Sequence, residues 1–363
     1  MTSRTTFRNW VVYSLRIRRV EYRIAELPIF LMPVLLTIDE LSSFNSPGFW
    51  EGLLVFFFLF AFGDLVNCLA DRDLDAHYKP QLTEAVYGLG VRGVIIQSVV
   101  SAAAAILISL HLAWLLNRPL LVPLVICGVL LAWAYSVEPV RLKGRGLWQL
   151  VFYWLGLFAG PMIFVAAIFA WPIAVEVILF SLAFGLLQTG VILVNTAEDF
   201  PEDRELGVCT VIVYTGIRNG MRLALILTVI GWGVLLVSVA WIGLRGDADG
   251  WSMLVATAPL LAAGIAVGVS LLRLVLRMPP GETDEITLVK RTARLVPVWM
   301  TACALTSLWA CGVLFWLRTH TLASLPERPV LVGVRESACD TRCRVVVEVN
   351  QQPDFKVNER ESS

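Results

Sequence analysis

The sequence predicts an all-α, polytopic membrane protein, and three observations support that fold class. Of its 363 residues, 57% are hydrophobic and 16% are charged, whereas an ordinary soluble domain carries about a quarter charged residues. Mean hydropathy is +0.73. Apolar runs of about 20 residues, the length that crosses a bilayer as a helix, recur through most of the chain. This composition excludes an ordinary soluble domain, and it also excludes an intrinsically disordered chain.

About nine apolar segments are long enough to span the bilayer. The count leaves eight or ten spans open, because the first segment begins with Glu26 and ends with Asp39 and Glu40. We expect the spans to form one helical bundle. In chain order, the predicted spans are 24–41, 49–70, 93–116, 119–137, 148–170, 173–195, 221–244, 252–276 and 295–317.

Three regions follow from this pattern. Residues 1–23 are a basic arm that lacks the small-residue cleavage site of a secretory signal peptide. Residues 24–317 are the transmembrane domain, and residues 318–363 are a short polar tail. Alternating valines within 329–348 predict a small hairpin in that tail.

Basic residues mark alternate connections between the spans. Because cytoplasmic loops carry the excess of Lys and Arg, this asymmetry predicts that the arm and the even-numbered loops face the cytoplasm. The sequence is therefore expected to be a multi-pass protein of a bacterial or archaeal-type cell membrane. A net charge of +0 gives no general attraction to nucleic acid. The marking residues are Arg72, Lys79, Arg141, Lys143, Arg145, Arg204, Arg218, Arg277, Lys290 and Arg291.

Two polar clusters stand at cytoplasmic helix ends, and both have the pattern N-x3-D-x3-D. They follow the second and sixth spans, about 128 residues apart. Residues four apart share a helix face, so each cluster directs one amide and two carboxylates the same way. Pro201 interrupts the second copy, which is expected to turn out of helix midway. The residues are Asn67, Asp71 and Asp75 in the first copy, and Asn195, Asp199 and Asp203 in the second.

Carboxylates beside a transmembrane helix usually mark a functional site. All six side chains carry oxygen, and the two copies are expected to face each other across the bundle. Mg²⁺ prefers such ligands and commonly bridges substrate phosphates. The clusters therefore predict a Mg²⁺ site with Asn67, Asp71, Asp75, Asn195, Asp199 and Asp203 as its ligands.

The chain resembles the UbiA superfamily of intramembrane prenyltransferases, whose signatures are N-D-x2-D-x3-D and D-x3-D. The first cluster matches the former, and Asp199 and Asp203 match the latter. Residues 135–143, Tyr-Ser-Val-Glu-Pro-Val-Arg-Leu-Lys, are similar to the family's loop after the fourth helix. Residues 203–210 are similar to the D-x3-G-x2-T that follows the second motif. The resemblance implies a bundle of the UbiA type, with a central cavity open to the cytoplasmic side.

The resemblance also implies a transferase of alkyl groups other than methyl, which moves a prenyl group from an isoprenoid diphosphate to an acceptor. Its catalytic residues would be Asp71, Asp75, Asp199 and Asp203. The acceptor is open, either aromatic or lipid, and membrane lipids surround the protein. Tyr135 either serves the site or is an interfacial aromatic anchor. The residues expected to bind diphosphate are Asn67, Arg72, Lys79, Tyr135, Arg141, Lys143 and Asn195.

Both clusters depart from the family pattern at one register. Cys68 stands where the first motif has its leading Asp, and Thr196 stands at the equivalent place in the second. Two carboxylates remain in each copy. The change favours an unusual donor or an unusual reaction.

Several alternatives stay open on the sequence. Phosphoribosyl transfer to a polyprenyl phosphate and terpene cyclisation would use the same metals on the same fold. A cation-coupled transporter would also place carboxylates in a membrane, but transporter sites usually lie near the midplane. An inactive scaffold is suggested only by the two missing carboxylates.

Overall fold

A computed structural model describes residues 7–20, 23–246, 248–324, 331–337 and 344–349. The chain divides into two units, Met1–Leu317 and Arg318–Ser363. The predicted all-α architecture is confirmed for the first unit.

The helices follow one another with short connections, and two 3₁₀ turns, Leu41–Asn45 and Leu142–Gly144, lie between them. A π-helical segment, Phe152–Ala159, joins α8 to α9 in one continuous run. The α-helices are α1 (Phe7–Ile17), α2 (Arg23–Thr37), α3 (Pro47–Asp71), α4 (Asp75–Tyr78), α5 (Pro80–Leu89), α6 (Val91–Leu115), α7 (Leu121–Ser136), α8 (Trp148–Val151), α9 (Gly160–Phe169), α10 (Val175–Glu198), α11 (Phe200–Glu205), α12 (Val211–Thr215), α13 (Ile217–Arg245), α14 (Gly250–Leu276), α15 (Glu282–Ala293) and α16 (Val296–Ser324).

Within the described residues, 7 helices are long and apolar enough to cross a membrane. They are α3, α6, the run Trp148–Phe169, α10, α13, α14 and α16 from Val296 to His320. The other two predicted spans coincide with shorter apolar helices, Glu26–Thr37 and Leu121–Ser136. The chain is thus an integral, multi-pass membrane protein, and the count of nine spans stays a prediction.

Helix α10 is the centre of the bundle. In its most apolar window 72% of the residues are buried, against 28% in α6 and in α14. Its most extensive partner is α13. Gly190 and Gly231 allow the two backbones to approach, since a Cβ on either would collide with the other helix. Close contact at small residues is how membrane helices commonly pack.

Local sequence sets several helix starts. The Ser46 hydroxyl accepts a hydrogen bond from Phe49 N at 3.3 Å, and Pro47 follows it as the first helical residue of α3. Asp249 accepts from Ser252 N at 2.6 Å at the start of α14. Such caps satisfy amide groups that have no partner inside the helix. Proline is favoured at the first helical position for the same reason.

The predicted basic arm contains an ordered helix, α1. Ile17 packs in a small apolar cluster with Leu65 and Cys68 of α3 and Val94 of α6. Polar contacts support this packing, since the Tyr13 hydroxyl donates to Glu84 Oε1 at 2.9 Å. The end of α3 that carries the first motif is therefore covered by α1.

The second unit contains strands β1 (Leu331–Ser337) and β2 (Arg344–Val349). They pair antiparallel, with Val334 opposite Val347, and the register is irregular between Leu331 and Gly333. The predicted hairpin is confirmed for these two strands, while the residues that connect them lie outside the described part of the chain.

Candidate functional site

A cavity of about 530 Å³ lies inside the helical unit, and both polar clusters line it. The residues of the clusters that line it are Asn67, Asp71, Asp75, Asn195, Asp199 and Asp203. The structure therefore brings together the two sequence motifs, which come from separate parts of the chain.

The first motif runs from the end of α3 into α4. Asn67 Oδ1 accepts a hydrogen bond from the Ser136 hydroxyl at 3.3 Å. Asp71 is 8% exposed. The ammonium group of Lys143 contacts its Oδ1, and Arg141 Nη2 lies 3.6 Å from the same oxygen. Asp75 is the first residue of α4.

The second motif bends where the sequence predicts. Helix α10 ends at Glu198, and α11 starts at Phe200 with Pro201 in its first turn. Asp203 N donates to Asp199 O at 2.9 Å across this break. The bend turns both carboxylates toward the cavity that Asn195 also lines.

Desolvation raises the pKa of three of the four motif carboxyls. The pKa of Asp75 is raised by burial and by the neighbouring Asp71, against the opposing effect of Lys79. Burial also raises the pKa of Asp199. The pKa of Asp203 rises to about 6, first through burial and then through Asp199. A bound cation would favour the ionised form of all three groups.

Two lysines supply positive charge to this cavity. Lys79 acts electrostatically on Asp75 and on Asp199, so it lies within reach of both motifs. Lys143 binds Asp71 and also acts on Asp75 and Asp203. Both line the cavity, and their predicted binding of diphosphate stays a prediction.

The two arginines that the sequence predicts to bind diphosphate, Arg72 and Arg141, do not line the cavity. Arg141 does not line the cavity, but its Nε and Nη2 are buried without a hydrogen-bond partner next to Asp71. Its φ is +35°, an uncommon conformation for a residue other than glycine. Arg72 is outside the cavity, because its Nη1 donates to Leu69 O at 2.8 Å and its Nη2 lies 3.4 Å from Asp73. The geometry thus gives no support to the predicted role of Arg72.

A hydrogen-bonded network links Tyr135 to the second motif. The Tyr135 hydroxyl donates to the Tyr153 hydroxyl at 3.3 Å. Tyr153 also accepts from Gln149 Nε2 at 3.0 Å and lies 3.3 Å from the Thr196 hydroxyl. The Tyr135 ring stacks on Phe152 with 3.9 Å between ring centroids. Tyr135 therefore lies in the cavity wall, where the sequence alone had left an interfacial anchor equally open.

Sequence reasoning missed Gln149 and Tyr153. These two polar residues lie four apart in an otherwise apolar span, so they share a helix face. That spacing could have indicated a polar contact inside the bundle.

The two positions that depart from the motif have different surroundings. Cys68 is buried against α1, where its Sγ lies 3.6 Å from Ile17 O, and it does not line the cavity. Thr196 does line the cavity. The change at 68 therefore affects the contact with α1, and the change at 196 affects the cavity wall.

A buried ionic cluster at the cavity was also missed. Arg23 pairs with Glu26 and Asp64, and the side chains are 12%, 17% and 23% exposed. Glu26 and Asp64 line the cavity. Asp64 precedes Asn67 by three residues and shares its helix face. A carboxylate inside the apolar span 49–70 was the signal that sequence reasoning passed over.

The rest of the cavity wall is apolar. It combines aromatic and aliphatic side chains with glycines, and it adjoins the polar end directly. The apolar lining includes Leu59, Phe60, Leu124, Leu131, Phe152, Leu155, Leu157, Phe164 and Ile192. One space can thus hold a charged group at one end and a hydrocarbon chain at the other.

Helix α15 is attached beside the second motif by ion pairs. Lys290 lies 3.2 Å from Glu202, and Arg204 lies 2.8 Å from Glu282. This helix also contacts α10 and α13.

The donor set fits divalent cations in part. No group of three or more His, Cys, Asp or Glu side chains is already gathered around one point in the part of the chain that the structure describes. Four carboxylates and two amides nevertheless line one cavity. Burial raises the pKa of three of these carboxyls, and the nearby lysines oppose that rise. Oxygen donors of this kind suit Mg²⁺, which keeps several waters and needs few protein ligands.

Comparison with known proteins relates the chain to one family. The model of the UbiA prenyltransferase family matches residues 27–278. The bacteriochlorophyll synthase 33 kDa chain of Cereibacter sphaeroides is 34% identical over 122 residues. That match covers 32% of this chain and 39% of the relative, so the chain spans about two fifths of the relative's length.

Solved structures share the fold. A digeranylgeranylglyceryl phosphate synthase superimposes with a TM-score of 0.60 at 14% identity, covering 84% of this chain and 99% of the other. A UbiA homolog from Archaeoglobus fulgidus bound to GPP and Mg²⁺ gives 0.55 at 16% identity, covering 82% and 99%. The same homolog bound to DMAPP and Mg²⁺ gives 0.54 at 16% identity, covering 80% and 99%.

Proposed function

The chain belongs to the UbiA prenyltransferase family, and on that premise we propose that it transfers a prenyl group from a prenyl diphosphate to an acceptor within the membrane. The observation that carries the proposal is the cavity, whose polar end holds both motifs and whose remaining wall is apolar. A prenyl diphosphate has the same division into a charged group and a hydrocarbon chain. The Archaeoglobus fulgidus homolog binds GPP and DMAPP, which are donors of this class.

Mg²⁺ is the proposed cofactor. Asp71, Asp75, Asp199 and Asp203 would hold it, with Asn67 and Asn195 as further oxygen donors. When bound, Mg²⁺ neutralises negative charge on a departing diphosphate. The Mg²⁺ in the Archaeoglobus fulgidus structures supports this choice.

The chain's own cations have a separate role in the proposal. Lys79 and Lys143 line the cavity and can donate charge-assisted hydrogen bonds to phosphate oxygens. Arg141 Nε and Nη2 are buried and make no hydrogen bond. An anion that displaced part of the ion pair between Arg141 and Asp71 would satisfy them. Lys143 is held by Asp71 in the structure, and we expect it to exchange part of that contact for phosphate.

The aromatic residues of the cavity wall would orient the prenyl group. Tyr135 is fixed by its hydrogen bond to Tyr153 and by its stack on Phe152. Such a fixed ring offers a π face to positive charge that develops on an allylic carbon. The acceptor, either aromatic or lipid, would arrive from the membrane. Phosphoribosyl transfer and terpene cyclisation remain the alternatives on this fold.

The test is Mg²⁺-dependent binding and turnover of geranyl diphosphate by the purified protein in lipid nanodiscs. We expect diphosphate release in the presence of a membrane-lipid extract as the source of acceptor. Asp71→Asn and Asp203→Asn should each lower the rate by about 100-fold or more, the scale seen when one electrostatic contact to a transition state is removed. Activity that survives removal of Mg²⁺ with EDTA would contradict the proposal.

Asp73→Asn is the matched control. Asp73 lies between the motif carboxylates in sequence, but its side chain is 70% exposed and it hydrogen-bonds Tyr87. We expect this variant to keep the wild-type rate. A cation flux into proteoliposomes that depends on Asp71 and needs no diphosphate would favour the transporter instead.

A further inference from the structure

A third cation lines the polar end of the cavity beside Lys79 and Lys143, and it lies outside the family match. Arg19 follows α1 and lines the cavity with Asp71, Asp75 and Lys79. It acts electrostatically on Asp75 and on Cys68. The matched residues begin at 27, so neither α1 nor Arg19 belongs to the part that the family model describes.

The position of Arg19 is fixed by the contacts of α1. Arg16 lies 3.6 Å from Glu84 of α5, and the Ser14 hydroxyl accepts from Gln97 Nε2 of α6 at 3.3 Å. Tyr13 packs so closely on Gly88 that a Cβ there would collide with its ring. Helix α1 is therefore held on α5 and α6, and Arg19 lies two residues after its end.

The backbone of Arg19 turns toward the cavity in an uncommon conformation. Its φ is +45°, and its N–H donates to Arg16 O at 3.0 Å. The described residues other than glycine with positive φ are Arg19, Asn117 and Arg141. Two of these three are arginines beside the same carboxylates. An outlier of this kind at a cavity is a reason to look for function there.

Cys68 makes this arrangement possible. It lies in the apolar cluster under α1, with its Sγ 3.6 Å from Ile17 O. An aspartate at this position, as in the family pattern, would be buried in that cluster without water. It would also compete with the ligand for Arg19. Cys68 therefore allows apolar packing between α1 and α3 and adds no negative charge beside Arg19.

We propose that Arg19, delivered by α1, binds the diphosphate group of the substrate as an additional ligand at the polar end of the cavity. This inference rests on the proposed function only in taking the anion to be a diphosphate. The guanidinium presents a fork of donors suited to phosphate oxygens. Cys68 is the residue that lets α1 pack closely enough to bring it there.

The test measures the affinity of Mg²⁺ and inorganic diphosphate for the full-length protein in nanodiscs. We expect Arg19→Gln to weaken binding by about tenfold, the usual scale for a charge-assisted hydrogen bond. Arg19→Lys should recover most of the loss, because the charge is kept. Arg8→Gln is the matched control, since Arg8 is exposed on the same helix, and its affinity should equal that of the wild type.

A second measurement does not depend on the stability of the glutamine variant. Arg19→Cys is treated with a positively charged methanethiosulfonate reagent, with and without Mg²⁺ and inorganic diphosphate. We expect the ligand to slow modification of Arg19→Cys and to leave Arg8→Cys unaffected. Equal rates at position 19 with and without ligand, or unchanged affinity in Arg19→Gln, would overturn the inference. Failure of the wild type itself to bind diphosphate would instead overturn the proposed function.

Discussion

Arg23 neutralises two carboxylates at the wall of the cavity, so its removal has a larger effect than a single lost contact. We expect Arg23→Met to lower the free energy of unfolding by about 3–5 kcal/mol, because Glu26 and Asp64 both lose their buried ion pair with this arginine. Unfolding in mixed detergent micelles, followed by tryptophan fluorescence, measures the change.

The control for Arg23 removes the charges together. The triple variant Arg23→Met, Glu26→Gln, Asp64→Asn leaves no buried ion, so most of the lost stability should return. If the triple variant were as unstable as Arg23→Met, the packing of the arginine stem and not its charge would be the cause.

At the residue scale, the sequence identifies the parts of the site that repeat. The four-residue spacing of the first motif, which begins at Asn67, recurs in the second motif, which begins at Asn195. Such a repeat is visible without a structure. Arg19 and Tyr153 have no such pattern. Whether an isolated arginine or tyrosine reaches a cavity depends on how its helix is rotated and on what packs against it.

The pair α10 and α13 depends on glycine at its closest approach. A Cβ on Gly231 would lie 2.8 Å from Ala183 O and closer still to Leu187 N. We expect Gly231→Ala to lower the free energy of unfolding by about 1–3 kcal/mol, the scale of overpacking in a tight interface. The same unfolding measurement in mixed micelles applies.

Gly233 provides the comparison within the same helix. Nothing lies within 4 Å of a Cβ built on it. Gly233→Ala should therefore be neutral or more stable by up to about 1 kcal/mol, since alanine favours helix over glycine. Equal losses in both variants would show that α13 tolerates no side chain at either position and that contact with α10 is not the reason.

At the element scale, hydropathy finds long apolar helices and misses amphipathic ones. The long helices α3, α6 and α10 coincide with predicted spans, because each carries an unbroken apolar run. Helices α1 and α15 bury only one face, so they resemble a basic arm and a charged loop in sequence. Their positions follow from tertiary ion pairs such as Lys290 with Glu202, which no local pattern contains.

The two motifs lie at the polar end of the cavity, and the distribution of basic loops predicts that this end faces the cytoplasm. Helix α14 allows a test of this prediction, because it is long and apolar enough to cross a membrane. One exposed residue lies at its start and another lies after its end. Gly250 starts it, and Thr283 follows it in α15, the helix that is ion-paired beside the second motif.

Single cysteines at these two positions should therefore react with an impermeant reagent from opposite sides of the membrane. They are placed in a variant whose accessible or tail cysteines are replaced by serine, namely Cys127, Cys209, Cys339 and Cys343. In intact cells, a membrane-impermeant maleimide should label Gly250→Cys and leave Thr283→Cys unmodified, and inside-out vesicles should reverse the result. The reversed pattern in intact cells would place the carboxylate motifs outside, where they would meet no diphosphate made in the cytoplasm, and the basic loops would then need another explanation.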